Sequence, residues 1–448
     1  MRAVNLSFKP SNLKILVLGA DGRAHAFCWK IRQSELCKQL FIAPGNAGTA
    51  QLGENVDIGV NDFDSLKKFC LHKDIDMVLV GPEEPLVKGI YDFFKKDKKL
   101  KHIIINGPSL AGAQLEGSKA FAKAFMQKYN IPTAAYREFN INNYQQGLEY
   151  IKNHQLPIVL KADGLAAGKG VVICHNAVEA LSEYELMIQQ AKFGEAGKKV
   201  VVEEFLDGIE LSVFVLTDGN AYVLFPEAKD YKKVFEGDKG PNTGGMGAVS
   251  PVPFASEIFM DKVVKKVIEP TIYGLHEEKL DYKGFIFFGL IRVNDEPYVI
   301  EYNCRMGDPE TEVVLLRLKN DLVKLLIAAD LQELSKEKIL IDEKTAATIV
   351  AVSEGYPGSY KKGLPIDFGY LQNPDAIKHI DSTGGAMVFH AGTRPENENV
   401  FTNGGRVLAV SSLAESLPEA IELSKNILNQ IYFEGMYYRS DIGYEFIE

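Results

Sequence analysis

The chain has 448 residues, of which 46% are hydrophobic and 25% charged, and its formal net charge is −10. That is the composition of an ordinary globular protein, long enough for roughly three domains. Its acidic balance argues against broad binding to nucleic acid or acidic membranes, although a local basic pocket for a phosphorylated ligand remains compatible with it.

Residues 1–12 carry charges and Pro10 and read as an N-terminal extension without the apolar core of a signal peptide. Lys14–Leu18 is a compact apolar strand closed by Gly19, and a helix pattern follows from about His25 to Gln33. Strands recur at Gln39–Ala43, Met77–Val80 and His102–Ile105, with helices at Phe63–His72 and Leu86–Lys95. Strands alternating with helices predict a parallel sheet covered by helices over residues 13–116. The turn Gly19-Ala20-Asp21-Gly22-Arg23 falls between a strand and a helix, where free backbone N–H groups favour phosphate. It is not a dinucleotide fingerprint, because Asp21 and Ala24 stand where G-x-G-x-x-G needs its later glycines. Gly81-Pro82-Glu83 closes another strand at the same sheet edge, the place where open α/β sheets bind ligands.

A second region, residues 117–333, opens with a helix at Ser118–Tyr129. Strands follow at Ile158–Lys161, Gly170–Cys174, Val200–Glu204, Glu210–Thr217, Gly284–Val293 and Tyr298–Asn303, and then a helix at Thr311–Ala329. The charged stretch Leu334–Lys344 marks a boundary. Residues 334–448 hold strands at Ala346–Ser353, Ala386–Ala391 and Val407–Ser411 and a helix at Leu413–Ile431. There are no internal repeats, and the most apolar run, Gly284–Ile291, is too short to span a bilayer. Five cysteines without a C-x-x-C pair (Cys28, Cys37, Cys70, Cys174, Cys304) point away from a disulfide framework or zinc site and towards a reducing cytoplasm.

Four stretches carry chemistry. In Glu301-Tyr302-Asn303-Cys304-Arg305 the polar residues fall at alternate positions, so a strand projects them to one side. A carboxylate, an amide oxygen and a guanidinium on one face suit a magnesium–phosphate site, and a polar sheet edge fits the same pattern. Cys304 should point the opposite way, into the core. In Lys161–Val171, Gly164, Gly168 and Gly170 let the backbone approach an anion, flanked by Lys161 and Lys169. The spacing is one residue short of a Walker A loop and the flanks are strands, so it reads as a flap over phosphates or a Gly-rich hairpin. Glu203-Glu204-Phe205-Leu206 ends a strand and leads to Glu210, which suits adenine and ribose contacts or a solvated strand end. Gly240-Pro241-Asn242-Thr243-Gly244-Gly245-Met246-Gly247-Ala248 reads as a loop around a small substrate or a plain surface loop, and Asp230, Lys232 and Lys233 precede it.

Together these segments resemble the glycinamide ribonucleotide synthetase family of the ATP-grasp superfamily, from about Lys14 to Gly443. Ala43-Pro44-Gly45-Asn46-Ala47-Gly48-Thr49, Gln114-Leu115-Glu116-Gly117-Ser118-Lys119, Phe389-His390-Ala391-Gly392-Thr393 and Thr402-Asn403-Gly404-Gly405-Arg406 extend the match. The resemblance implies an α/β chain with an N-terminal parallel-sheet (pre-ATP-grasp) domain, a two-lobed ATP-grasp domain whose mobile lid covers about 133–204, and a small C-terminal α+β domain. It implies a ligase of purine biosynthesis, a monomer or weak dimer, acting on ATP, glycine and phosphoribosylamine with magnesium or manganese. Glu301 and Asn303 would hold the metal. Lys119, Lys161 and the Gly164–Gly170 lid, with Lys169, would meet the ATP phosphates, Glu203–Leu206 the adenine and Glu210 the ribose. Asp230, Arg305 and Lys161 would serve the chemistry. Asp230, Arg305 and the Pro241–Ala248 loop, with Asn242–Gly247, would face glycine and its acyl phosphate, Asp308 a substrate, and Gly22, Arg23, Asn46 and Glu83 the phosphoribosylamine. The sequence departs from the family pattern at Asp21 and Ala24, which replace Gly and Glu, and at Tyr231 and Lys233, which replace His and Arg. These departures leave open a paralogue that ligates a different amine or amino acid.

Overall fold

The computed structural model describes residues 12–165, 170–190, 199–372 and 385–447. Its first sheet is built on strand Leu13–Gly19, which lies parallel to Cys37–Pro44 on one side and Met77–Val80 on the other. Ile104–Pro108 extends it beyond Met77–Val80. The central strands are near-continuous apolar runs because helices cover both faces: Ile15, Leu16, Val17 and Leu18 are all buried. One expected helix, Leu86–Lys95, is two, Glu83–Val87 and Ile90–Lys96. Gly89 between them adopts φ +84°, a left-handed conformation that ends the first helix.

The parallel sheet does not end at its domain. Tyr282–Val293 pairs antiparallel with Ile104–Pro108 through Tyr282 and Pro108. Ile209–Thr217 and Glu296–Asn303 flank Tyr282–Val293 in turn. A separate antiparallel sheet, in the order Tyr136–Asn140, Lys199–Glu204, Ile158–Ala162, Val171–Cys174, carries helices Tyr144–Lys152 and Ala177–Ile188. This lobe has its own small core, including Phe139, Leu160, Tyr184 and Val202.

A third sheet joins Thr345–Val352, Arg406–Ala414 and Ala386–His390 and packs on helix Leu417–Leu428. It also takes in Gly247–Ser250 and Lys229–Asp230, strands from the middle of the chain that sequence patterning did not register. The long helix expected at Thr311–Ala329 is likewise two, Glu310–Arg317 and Leu322–Leu331. Leu318 is extended, and Asp321 restarts the helix by accepting from the backbone N–H of Val323 at 2.9 Å. Among the described residues no helix is long and apolar enough to cross a membrane, and no disulfide joins the five buried cysteines.

Candidate active site

A cleft opens between the lobe carrying Tyr136–Asn140, Lys199–Glu204, Ile158–Ala162 and Val171–Cys174 and the sheet that ends at Asn303. Lys119, Lys161, Glu301 and Asn303 line it, together with Gly164 and Gly170 of the flap. The strand alternation expected from sequence holds for Glu301 and Asn303. Glu301 and Asn303 lie opposite Gly289 and Phe287, while Tyr302 turns inward, its hydroxyl 2.9 Å from that of Thr271. A register shift at Ile300 marks a bulge, and the Ile300 carbonyl accepts from Lys161 Nζ at 3.1 Å.

Neither the Glu301 carboxylate nor the Asn303 amide has a hydrogen-bond or ion-pair partner among the described residues. Two oxygen donors, two residues apart on one strand and facing two lysines, fit a hard divalent cation that completes its shell with phosphate and water. Among the described residues no cluster of three His, Cys, Asp or Glu side chains forms an all-protein metal cage.

The lysines are held from below. Lys119 opens helix Lys119–Lys128 and donates to the Gly164 carbonyl at 2.9 Å, while Ser118 and the Ala120 N–H tie down Asp163 at 3.0 and 3.1 Å. Burial lowers the Lys119 pKa, and the negative charge of Glu301 opposes the shift. Lys161 pairs with Glu203 Oε2 at 3.0 Å, and Lys123 meets the same oxygen at 3.1 Å. Glu203, expected to face adenine, is therefore committed to a buried Lys–Glu–Lys bridge. Glu204 accepts from the Ala135 N–H at 2.8 Å, Phe205 is exposed and Leu206 half-buried. Gly168 and Lys169 lie outside the described residues.

Arg305 follows the strand and spans two acids, Glu116 at 3.1 Å and Glu83 at 3.4 Å. Burial opposes its charge, but those carboxylates outweigh the effect and raise its pKa. Cys304 is buried and does not line the cleft, and its thiol donates to Glu116 at 3.0 Å.

A second cluster surrounds Asp230. Lys232 pairs with Glu210 at 2.7 Å and approaches Asp230 at 3.9 Å, so the Glu210 carboxylate, expected at the ribose, is engaged by a lysine. Burial raises the Asp230 pKa. Burial, reinforced by the charge of Asp230, pushes Glu310 up to about 7. Glu310 accepts from Ser212 Oγ at 3.0 Å. The loop that follows folds back on this strand: Thr243 donates its N–H to the Lys232 carbonyl at 2.7 Å, and Gly245 adopts φ +120° against Pro309. Asn242 and Gly244 are exposed. Met246 is 0% exposed and packs in the core, so its side chain is not available to a ligand, and Gly247 has entered the third sheet.

The third cluster lies at the first helix. Asp21 caps it, accepting from the Ala24 N–H at 2.8 Å, and pairs with Arg23 at 2.6 Å. Arg23 also donates to the Met306 carbonyl at 2.8 Å. Asp308 pairs with Arg406 at 3.0 Å. Gly22 is a steric requirement, since a Cβ there would sit 2.3 Å from Glu312 Oε1. Glu312 is buried with neither oxygen partnered, and burial drives its pKa well upward. Asn46 is fully used by the fold: it donates to the carbonyls of Ala20 and His390 and accepts from the N–H groups of Gly48 and Thr49.

Sequence reasoning gave no role to Lys123, Glu310, Glu312 or Arg406. Only Lys123 carried a local signal, four residues after Lys119 and so on the same helix face.

The fold as a whole is that of the ATP-grasp enzymes. It superposes on the biotin carboxylase domain of Hydrogenobacter thermophilus 2-oxoglutarate carboxylase, solved with magnesium ADP, with a TM-score of 0.70 at 15% identity over 95% of this chain and 92% of that one. Models of phosphoribosylglycinamide synthetase match in three consecutive pieces: its N domain at residues 13–116, its ATP-grasp (A) domain at 117–311 and its C domain at 346–445. The phosphoribosylamine–glycine ligase of Clostridium acetobutylicum is 44% identical over 96% of this chain and 99% of its own length. The solved phosphoribosylamine–glycine ligase of Thermotoga maritima is 31% identical with a TM-score of 0.82, covering 96% of this chain and 100% of that one. The chain belongs to the phosphoribosylglycinamide synthetase family.

Proposed function

We propose that this chain joins glycine to 5-phosphoribosylamine at the expense of ATP, giving glycinamide ribonucleotide, ADP and phosphate in purine biosynthesis in the cytoplasm. A glycine carboxylate oxygen forms a bond to the γ-phosphorus as the bridging oxygen leaves with ADP. The amine then attacks the acyl carbon of the glycyl phosphate, its C–O bond to phosphate breaks, and the amine gives up a proton. Such phosphoryl transfer is mainly positioning and charge stabilisation.

The observation that carries this reading is the unpartnered Glu301–Asn303 pair facing Lys119 and Lys161 across one cleft. Those two oxygen ligands would hold magnesium, which neutralises charge on the triphosphate when bound. Lys119 and Lys161 orient the phosphates, and the flap that includes Gly164 and Gly170 limits access of water. Asp230 gives glycine's ammonium a carboxylate partner, and Arg305, fixed by Glu83 and Glu116, is held rigid for the acyl phosphate. Gly22, Arg23, Glu83 and Asp308 line the side assigned to phosphoribosylamine. The departures at Asp21 and Tyr231 are compatible with that amine, because Asp21 caps its helix and pairs with Arg23 and Tyr231 is buried away from Asp230 and Lys232.

The test is ADP release by the purified protein with each substrate omitted in turn. Release that requires both glycine and phosphoribosylamine is expected. Undiminished release without the amine would move the reading to a paralogue with another acceptor.

A further inference from the structure

Asp230 closes a strand of only two paired residues, Lys229–Asp230, and Lys232 lies two residues beyond it. A ladder that short holds its side chains weakly, and this one leans on a different part of the chain. Tyr231, between the two polar residues, is 1% exposed and packs in the core of the third sheet.

Three contacts fix that ring. Its hydroxyl donates to Glu445 at 2.9 Å. Lys229 Nζ lies 4.1 Å from the ring centroid and the Arg439 guanidinium carbon 5.4 Å from it. Lys229 pairs with Glu445 at 2.6 Å, closing the triangle. Arg439 is itself 0% exposed. It makes a two-pronged contact with Asp441 at 2.7 and 2.8 Å and pairs with Asp238 at 2.7 Å. The same segment grips the hairpin that follows: Gly237 donates its N–H to Asp441 at 2.7 Å, and Ser440 Oγ donates to Glu236 at 2.5 Å.

The backbone of Tyr231 carries this anchorage into the substrate loop. Its N–H donates to the Gly247 carbonyl at 3.0 Å, and its carbonyl accepts from Met246 at 2.7 Å. A shift of the ring therefore moves Asp230, Lys232 and residues 243–247 together.

We propose that segment 437–446 is a positioning element for the glycine site, with Tyr231 as the residue through which Glu445 and Arg439 set the placement of Asp230 and Lys232. This rests on the reading that Asp230 faces glycine. None of the tail residues touches substrate; they act through the strand.

The test is steady-state kinetics of the full chain with Tyr231→Phe, Glu445→Gln and Arg439→Lys, varying glycine, ATP and phosphoribosylamine separately. Tyr231→Phe removes the hydrogen bond to Glu445, and Glu445→Gln removes the charge that holds both Tyr231 and Lys229; each should raise KM for glycine about fivefold or more, with kcat and KM for ATP within about twofold of wild type. Arg439→Lys keeps the charge but loses the fork and should fall between them and wild type. An unchanged KM for glycine in both Tyr231→Phe and Glu445→Gln would overturn the proposal. So would equal worsening of all three KM values with a lowered melting temperature, the mark of a purely structural clamp. If Tyr231→Phe does not fold, Glu445→Gln decides alone. Asp230→Asn separates the two levels: if glycine dependence survives it unaltered, the reading of the glycine site fails and the tail proposal with it. If it abolishes glycine-dependent turnover while the tail variants do nothing, only the tail proposal fails.

Discussion

Lys161 and Glu203 lie 3.0 Å apart, both buried, and Lys123 shares the same carboxylate oxygen at 3.1 Å. One carboxylate thus balances two ammonium groups in the wall of the nucleotide cleft. Removing it strands two buried cations. Glu203→Ala should cost about 3–5 kcal/mol of stability, the scale for breaking a buried ion pair. Denaturant unfolding checks this, and a midpoint equal to wild type would show that the bridge does not form.

Glu301 is the opposite case, a carboxylate with no hydrogen-bond or ion-pair partner among the described residues. Glu301→Gln should leave stability within about 0.5 kcal/mol of wild type. It should also lower magnesium-dependent ADP release by roughly 100-fold or more, through lost metal–phosphate positioning. Calorimetry and a coupled ADP assay on the same preparation test both halves; full activity would remove Glu301 from the metal site.

Gly245 combines φ +120° with a position where a Cβ would lie 2.4 Å from Pro309 Cδ. Neither a ring nor a strained backbone yields easily. Gly245→Ala should destabilise the protein by about 1–3 kcal/mol and weaken glycine binding, because the loop it shapes returns to Lys232. Melting temperature and KM for glycine are the measurements, and wild-type values for both would refute the steric argument.

Glu310 supplies a pH signature. Burial, then the charge of Asp230, raises its pKa from the ordinary 4.5 to about 7 in the folded protein. The folded state therefore holds this proton more tightly than the unfolded chain. Its contribution to stability is full below about pH 4.5 and is lost as pH rises through about 7. Glu310→Gln should flatten that part of the profile, so that the difference in unfolding free energy between variant and wild type changes by about 3 kcal/mol across the window. Parallel profiles for the two proteins would place the Glu310 pKa in the ordinary carboxylate range.

Much of this architecture was legible in local pattern. Met77–Val80 reads as a strand because four consecutive apolar residues between polar flanks have no other use, and the structure places it there unchanged. The two breaks inside expected helices were not legible in the same way. Gly89 and residues 318–321 interrupt apolar periodicity only slightly, and it is the turn geometry around them that ends each helix. Strands as short as Lys229–Asp230 and Gly247–Ser250 leave too few residues to show a period of two.

The same division runs through the site. Alternation alone determined that Glu301 and Asn303 share a face and that Cys304 does not, because a strand's side-chain period is a property of the backbone. Glycine content likewise marked the flap and the Asn242–Gly247 loop. Tertiary structure alone decided that Glu203 belongs to two lysines, that Met246 is core, that Asn46 spends its amide on the fold and that Tyr231 leans on Glu445 across 214 positions of chain. Which partner a charged or polar side chain takes depends on which groups long-range packing brings within about 3 Å of it, and no local sequence rule contains that distance.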